Sequence, residues 1–141
     1  MEFIDSASAA VRAAGLHLGE DEEQVALVCD YGGSDLTISV LNISFGSIEV
    51  LASECKRDVG GNVIDKKLVE HCLEEFKKSK GVVDKKLDVK AEFRLKQACE
   101  RAKHALSSLH ESTVKIHSFH EEHDLEVKIT RDQFDEITAE Q

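Results

Sequence analysis

The chain has 141 residues and a formal charge of −10, with 41% hydrophobic and 33% charged side chains. That length suits one domain, or two small subdomains, with a modest core. The acidic balance disfavours nucleic-acid backbones and anionic membrane surfaces as partners. With no basic, apolar leader and no apolar run of membrane-spanning length, the expectation is a soluble, cytoplasmic protein.

The first expected element is a helix within residues 5–18. Its run Ala7-Ser-Ala-Ala-Val-Arg-Ala-Ala14 favours helix, and Gly15 and Gly19 bracket its end. Glu20-Asp-Glu-Glu23 reads as a solvated turn. Three strands follow, at 25–29, 36–43 and 47–53, rich in β-branched residues and joined as a meander. The first is apolar on both faces, which predicts a central strand.

Between the first two strands lies Asp30-Tyr-Gly-Gly-Ser-Asp35. Glycines at 32 and 33 let backbone N–H groups approach a phosphate, and Asp30 is placed to hold magnesium through water. An ordinary hairpin turn needs glycine for the same steric reason, so the residues alone leave both readings open.

After Gly60-Gly61, Asn62 is a candidate helix cap. Ile64, Leu68, Cys72 and Phe76 recur every four residues, with Val69 and Leu73 widening the stripe and Gly81 ending it. A second helix is expected over 89–108, burying Leu95, Ala98, Ala102, Ala105 and Leu109. Strands at 113–119 and 125–130 then form a hairpin around His120-Glu-Glu-His-Asp124, and residues 132–141 begin a helix.

Cys29, Cys55, Cys72 and Cys99 lack C-x-x-C spacing and are expected to be reduced and buried. His117, His120 and His123 span a strand end and a turn, where three rings do not share a face; an exposed hairpin tip is expected. Lys77-Lys-Ser-Lys80 with Lys85-Lys86 reads as a solvated helix end. In Gln97-Ala-Cys-Glu-Arg-Ala-Lys-His-Ala-Leu-Ser-Ser108, Glu100, Lys103 (or His104) and Ser107 fall on one helical side. This is either an exposed face with a Glu–Lys pair worth roughly 0.2–0.5 kcal/mol, or a polar edge that grips the ribose and base of a nucleotide.

These segments together resemble the nucleotide-binding domain of the heat shock protein 70 chaperones, over about residues 4–136. Asp30-Tyr-Gly-Gly-Ser-Asp-Leu-Thr37 is similar to that family's D-L-G-G-G-T-F-D, and Val59-Gly-Gly-Asn-Val-Ile-Asp65 to its L-G-G-E-D-F-D. Ala98-Cys-Glu-Arg-Ala-Lys-His-Ala-Leu-Ser-Ser108 resembles A-C-E-R-A-K-R-T-L-S-S, the most specific match. Ile129-Thr-Arg-Asp-Gln-Phe-Asp-Glu136 and Ser8-Ala-Ala-Val-Arg-Ala-Ala-Gly15 resemble I-T-R-A-R-F-E-E and T-A-A-A-I-A-Y-G.

The resemblance implies an α/β, actin-like ATPase (ribonuclease H-like) fold, present in part: a β-meander plus a helix-rich subdomain with a C-terminal hairpin. Residues 1–19 would lead into lobe II, 24–59 would start subdomain IIA, 60–130 would form subdomain IIB, and 131–141 would begin a truncated helix. The implied cofactor is ATP or ADP with magnesium, held weakly or lost. Its implied contacts are Asp30, Gly32, Gly33, Ser34, Asp35, Glu100, Lys103, His104 and Ser107, with Asp30 near the metal. Implied partners are nucleotide-exchange factors and other co-chaperones. Unfolded clients would require a peptide-binding domain in a longer chain.

Departures from the family pattern bear on this. Ser34 replaces a loop glycine, Asp35 a phosphate-contacting threonine, and Thr37 an acid. A carboxylate beside a phosphate is repulsive by about 4 kcal/mol for unit charges about 4 Å apart at intermediate dielectric. His104 stands for an adenine-stacking arginine, Asn62 for the G-G-E glutamate, and Asp5-Ser-Ala-Ser8 for N-E-P-T. Phosphoryl transfer needs positioning from all sides of the phosphate, and lobe I is missing, so no ATPase activity is expected from this chain alone. The alternative expectation is a nucleotide-independent module that binds chaperone cofactors.

Overall fold

The computed structural model describes residues 3–16, 23–80, 87–120 and 122–139. The chain forms two compact units, Met1–Gly61 and Asn62–Gln141.

The first unit opens with α1 (Ser6–Ala13). Asp5 caps it: its Oδ1 accepts the Ser8 N–H at 2.8 Å. The Ser8 hydroxyl and amide hold the Asp5 carboxyl below the usual range. Gly15 exits the helix at φ 74°, a conformation that favours glycine. The predicted helix end at Leu18 and Gly19, and most of the acidic turn, lie outside the described residues.

Strands β1 (Gln24–Tyr31), β2 (Asp35–Ser44) and β3 (Ser47–Arg57) form an antiparallel sheet in the order β1-β2-β3. The first strand is therefore an edge of this sheet, and the expectation that it is central is corrected. Two consecutive hairpins necessarily put the middle strand in the middle. The two-faced apolar pattern has another origin. Ala26 and Val28 pack with Ile48 against the α1-side core of Ala7, Val11, Leu41 and Ile43. Val25 and Leu27 stand on the opposite face, 69% and 70% exposed. Cys29 and Cys55 are also exposed, which corrects the expectation of buried thiols at those positions. The β2–β3 turn carries two left-handed residues, Phe45 and Gly46 (φ 48° and 74°), matching the twist of a tight hairpin. Strand β3 runs past the predicted 47–53. Val40 pairs with Ala52 and Leu41 with Val50, so Leu51 is bulged out.

The second unit contains α2 (Gly61–Lys80), which starts at the unit boundary, then α3 (Val89–Leu106), β4 (Glu111–His120), β5 (His123–Thr130) and α4 (Arg131–Thr138). Leu68, Cys72 and Phe76 from α2 share one core with Leu95, Cys99 and Leu106 from α3 and Ile116, Phe119, Leu125 and Ile129 from the hairpin. Phe76 and Phe119 meet edge to face, with centroids 5.2 Å apart. Asn62 lies inside α2 rather than capping it, because the helix starts at Gly61. Helix α3 ends at Leu106, short of the predicted 108. Leu106 is buried and Leu109, expected in the stripe, is 53% exposed. The hairpin turn is tighter than expected because β4 continues to His120. Gly81, Lys85 and Lys86 lie outside the described residues.

The end of α3 is held by a distant residue. Arg131 donates from Nε and Nη2 to the Leu106 carbonyl (3.2 and 2.9 Å) and from Nη2 to the Leu109 carbonyl at 2.9 Å. These carbonyls have no helical partner of their own, and a cation there also suits the helix dipole. Thr130 caps α4 reciprocally with Gln133, fixing the backbone from which Arg131 reaches. Arg131→Ala is expected to lower the stability of this unit by about 2 kcal/mol, read by urea unfolding; a change within experimental error would mean that water replaces the guanidinium.

Candidate functional site

The sequence-predicted site residues fall into two groups, one in each unit. In Met1–Gly61, Asp30 lies near the end of β1, Gly32, Gly33 and Ser34 form the loop, and Asp35 opens β2. Asp30 pairs across the ladder with Thr37, and the Gly32 N–H donates to the Asp35 carbonyl at 3.0 Å, closing the turn. The loop residues are exposed.

A second glycine pair clasps this loop. The Val59 N–H donates to the Ser34 carbonyl at 3.1 Å, and the Gly61 N–H to the Gly32 carbonyl at 3.2 Å. Gly60 takes φ 130° and is buried. A Cβ on it would sit 2.5 Å from the Gly32 carbonyl oxygen and 2.8 Å from that of Gly33. Steric demand for glycine is thus far greater at Gly60 than at Gly32, where a Cβ would meet nothing closer than the Asp35 carbonyl oxygen at 3.7 Å. The clasp orients an exposed, backbone-rich loop of the kind that receives phosphate oxygens.

In Asn62–Gln141, α3 carries Glu100, Lys103 and His104, with Ser107 at its C-cap. Lys103 and His104 are not equivalent. His104 is exposed, while Lys103 points inward, its Nζ 2.8 Å from Oδ1 of Asp65 on α2. The Asp65 side chain is 4% exposed and that of Lys103 18%. The contact is ionic rather than an aligned hydrogen bond, since the same carboxylate oxygen has no partner in hydrogen-bond geometry. Lys103 is therefore anchored, while Glu100 remains at the surface.

Asp65 received no role from the sequence, although a signal was present. It is three residues before Leu68 and seven before Cys72, hence on the flank of the buried stripe of α2. A carboxylate in that position calls for a cation from a facing element. Deeper in the same interface, the Cys99 and Cys72 sulfurs are 3.9 Å apart. The bond to Cys72 and burial push the Cys99 thiol far above its ordinary range, so it is a core thiol, as expected for both residues.

At the hairpin, the His117 Nδ1 lies 2.9 Å from an Asp124 carboxylate oxygen, and the other oxygen accepts the Ser118 N–H at 2.8 Å. These bonds, the Ser118 amide first, hold the Asp124 carboxyl below its usual range. His120 is half-buried and pairs with His123 across the ladder. Among the described residues, no helix is long and apolar enough to cross a membrane.

Meander, glycine clasp and helix–hairpin unit define a mixed α/β chain with part of the actin-like ATPase fold. The family model described as Hsp70 protein matches residues 1–141, and the chain belongs to that family. It is 39% identical over 140 residues to a ribosome-associated molecular chaperone of Eremothecium gossypii, and 37% identical over 140 residues to the ribosome-associated molecular chaperone SSB of Candida glabrata. The match covers 99% of this chain and 23% of each relative, so the chain spans about a quarter of the length of the curated relatives it matches.

Proposed function

We propose that this chain is the lobe II part of a divergent Hsp70-type chaperone, and that it binds the magnesium complex of ADP or ATP without hydrolysing it alone. In this reading Met1–Gly61 supplies the start of subdomain IIA and its phosphate loop, and Asn62–Gln141 corresponds to subdomain IIB with the adenosine edge. The observation that carries it is the Gly60 clasp, a cradle that a Cβ would fill and that leaves the 32–34 loop exposed.

The donor set fits a metal-bound nucleotide better than a free one. Asp30 and Asp35 bracket the loop in sequence, and carboxylate oxygens suit a hard cation. Bound magnesium would supply the positive charge that lets phosphates approach these acids. Asp30, Gly32, Gly33, Ser34 and Asp35 would then face the phosphates, and Glu100, Lys103, His104 and Ser107 the adenosine. A cytoplasmic location and docking of nucleotide-exchange factors or other co-chaperones on the second unit belong to the same reading. Unfolded clients enter it only through a peptide-binding domain in a longer chain.

The test is an amide NMR titration with ADP, with and without magnesium. Shifts at Gly33 and across residues 100–107 that require magnesium are expected. No shift at millimolar Mg-ADP would sink the proposal and leave a nucleotide-independent binding module. Equal shifts without magnesium would overturn the metal-dependent part.

A further inference from the structure

Two thiols meet inside the second unit and have no part in the nucleotide reading. Cys72 on α2 and Cys99 on α3 are both fully buried, and the Cys99 thiol donates to the Cys72 sulfur across 3.9 Å. They lie 27 residues apart in sequence and share one core with Leu68, Phe76, Leu95 and Leu106. A disulfide holds its sulfurs at about 2.05 Å, so closing the pair takes about 2 Å of movement. Buried Ala98 and Ala102 flank Cys99 on α3, and side chains that small let a facing helix approach. The other two cysteines have no such geometry. Cys29 on β1 pairs with Ile38 and Cys55 on β3 pairs with Thr37, so β2 stands between them. Two strand spacings amount to about 10 Å, beyond the Cα reach of a disulfide at about 7 Å. Ile38 and Thr37 are neighbours on β2, so the two thiols also leave opposite faces of the sheet.

Burial decides when this pair reacts. The thiolate is the nucleophile in thiol oxidation. Its bond to Cys72, its burial and the nearby Asp65 carboxylate all keep the Cys99 thiol neutral. The closed core is therefore inert, and oxidation runs through local openings of the α2–α3 interface. The product suits the interior better than a thiolate does. A disulfide carries no charge and no donor, so the reclosed core takes it up without a desolvation cost. The same closure then shields the bond from reductants.

We propose that Cys72 and Cys99 are a modification site at which hydrogen peroxide forms a disulfide that ties α2 to α3. In the open state one thiolate attacks the peroxide. An S–O bond forms, the O–O bond breaks, and the departing hydroxide takes up a proton to leave as water. The second thiolate attacks the resulting sulfenic sulfur. The S–S bond forms, the S–O bond breaks, and a second hydroxide leaves and is protonated. The two thiols lose two electrons and two protons, and the peroxide is reduced to two waters. The bond has a consequence along both helices. Lys103 is one turn after Cys99, and Asp65 is two turns before Cys72. Fixing the sulfurs thus restrains the neighbouring Lys103–Asp65 pair. Where residues 100–107 receive adenosine, the oxidised chain answers Mg-ADP differently. That consequence rests on the proposed nucleotide reading, whereas the disulfide does not.

The experiment uses the 141-residue chain carrying Cys29→Ser and Cys55→Ser, two exposed positions, treated with hydrogen peroxide and read by intact mass. The monomer should lose the mass of two hydrogen atoms and regain it with dithiothreitol, and a digest should show the Cys72–Cys99 link. Oxidation in buffer should be at least about tenfold slower than in urea, because the folded core must first open. The oxidised monomer should unfold at higher urea than the reduced one. Adding Cys72→Ala should abolish both the mass loss and the rise in the midpoint. Cys99→Ala gives the same control if circular dichroism shows that Cys72→Ala is not folded. Free thiols after prolonged peroxide, sulfinic acids in place of the link, or only cross-linked dimers would overturn the proposal. So would an intramolecular disulfide that lowers the urea midpoint, since the folded core would then exclude it. Amide NMR with Mg-ADP before and after oxidation reads the consequence at residues 100–107 separately. A reduced chain without any shift rejects the nucleotide reading and leaves the disulfide standing on the mass and the midpoint.

Discussion

Lys103→Met is expected to lower the stability of the Asn62–Gln141 unit by about 3 kcal/mol. The cause is what it leaves behind. Asp65 would keep a carboxylate 4% exposed to solvent, with its cation gone and no hydrogen bond to its Oδ1. A stranded buried charge must either stay unsolvated or take up a proton, and both are costly. The modest exposure of Lys103, 18%, lets water reach the site and sets the estimate at the low end for a broken buried pair. The double variant Asp65→Leu/Lys103→Met is expected to recover most of the loss, since apolar side chains of similar size fill the same gap. The chain has no Trp and one Tyr, and among the described residues most of the helix is in α2 and α3, so circular dichroism during urea unfolding reports mainly on this unit. A loss below about 1 kcal/mol would mean that the pair behaves as a solvated surface contact.

This pair also constrains the nucleotide reading. If Mg-ADP draws Lys103 away from Asp65, binding must offset the stranding of a buried carboxylate. The double variant separates the two roles. Its core should be intact while its response to nucleotide at residues 100–107 is altered. A folded double variant with an unchanged titration would show that Lys103 serves the interior alone.

Much of the fold was legible because local patterns were strong. The four-residue spacing of Leu68, Cys72 and Phe76 marks the buried face of α2, and all three are buried. Alternation in 113–119 and 125–130 gives the hairpin, whose Val114, Ile116, Leu125, Val127 and Ile129 are buried. The misreadings come from information a local pattern does not hold. Val25 and Leu27 look like core residues, yet their exposure depends on which faces of the sheet are covered. Cys29 follows the same logic. Leu109 is on the right helical phase for burial, but α3 has already ended at Leu106, where the distant Arg131 takes its last carbonyls. For the site, the motif residues were visible but their division of labour was not. Spacing put Lys103 and His104 on much the same side, and only the facing helix decides which points inward.

The same limit applies to the four glycines of the loop and its clasp, and it yields the sharpest test of the phosphate-loop reading. Sequence makes Gly32, Gly33, Gly60 and Gly61 look interchangeable, whereas the geometry demands glycine far more strictly at Gly60 than at Gly32. Gly60→Ala has two costs. Its φ of 130° is a region that L side chains rarely adopt, worth about 1–3 kcal/mol. Its Cβ would also lie 2.5 and 2.8 Å from two carbonyl oxygens, and these are backbone atoms that cannot swing aside as a side chain would. Relief requires the 32–34 loop to move off the clasp, breaking the bonds from Val59 and Gly61. The Met1–Gly61 unit should therefore lose about 2–3 kcal/mol, followed by the fluorescence of Tyr31, the sole tyrosine, beside the loop. Gly32→Ala should cost under about 1 kcal/mol, because its Cβ meets only an ordinary contact at 3.7 Å. If the loop receives phosphates, Gly60→Ala should abolish the Mg-ADP shift at Gly33 while shifts at residues 100–107 weaken but stay in place. If Gly60→Ala leaves the Gly33 response intact, the clasp is scaffolding alone and the nucleotide, where bound, is held without it.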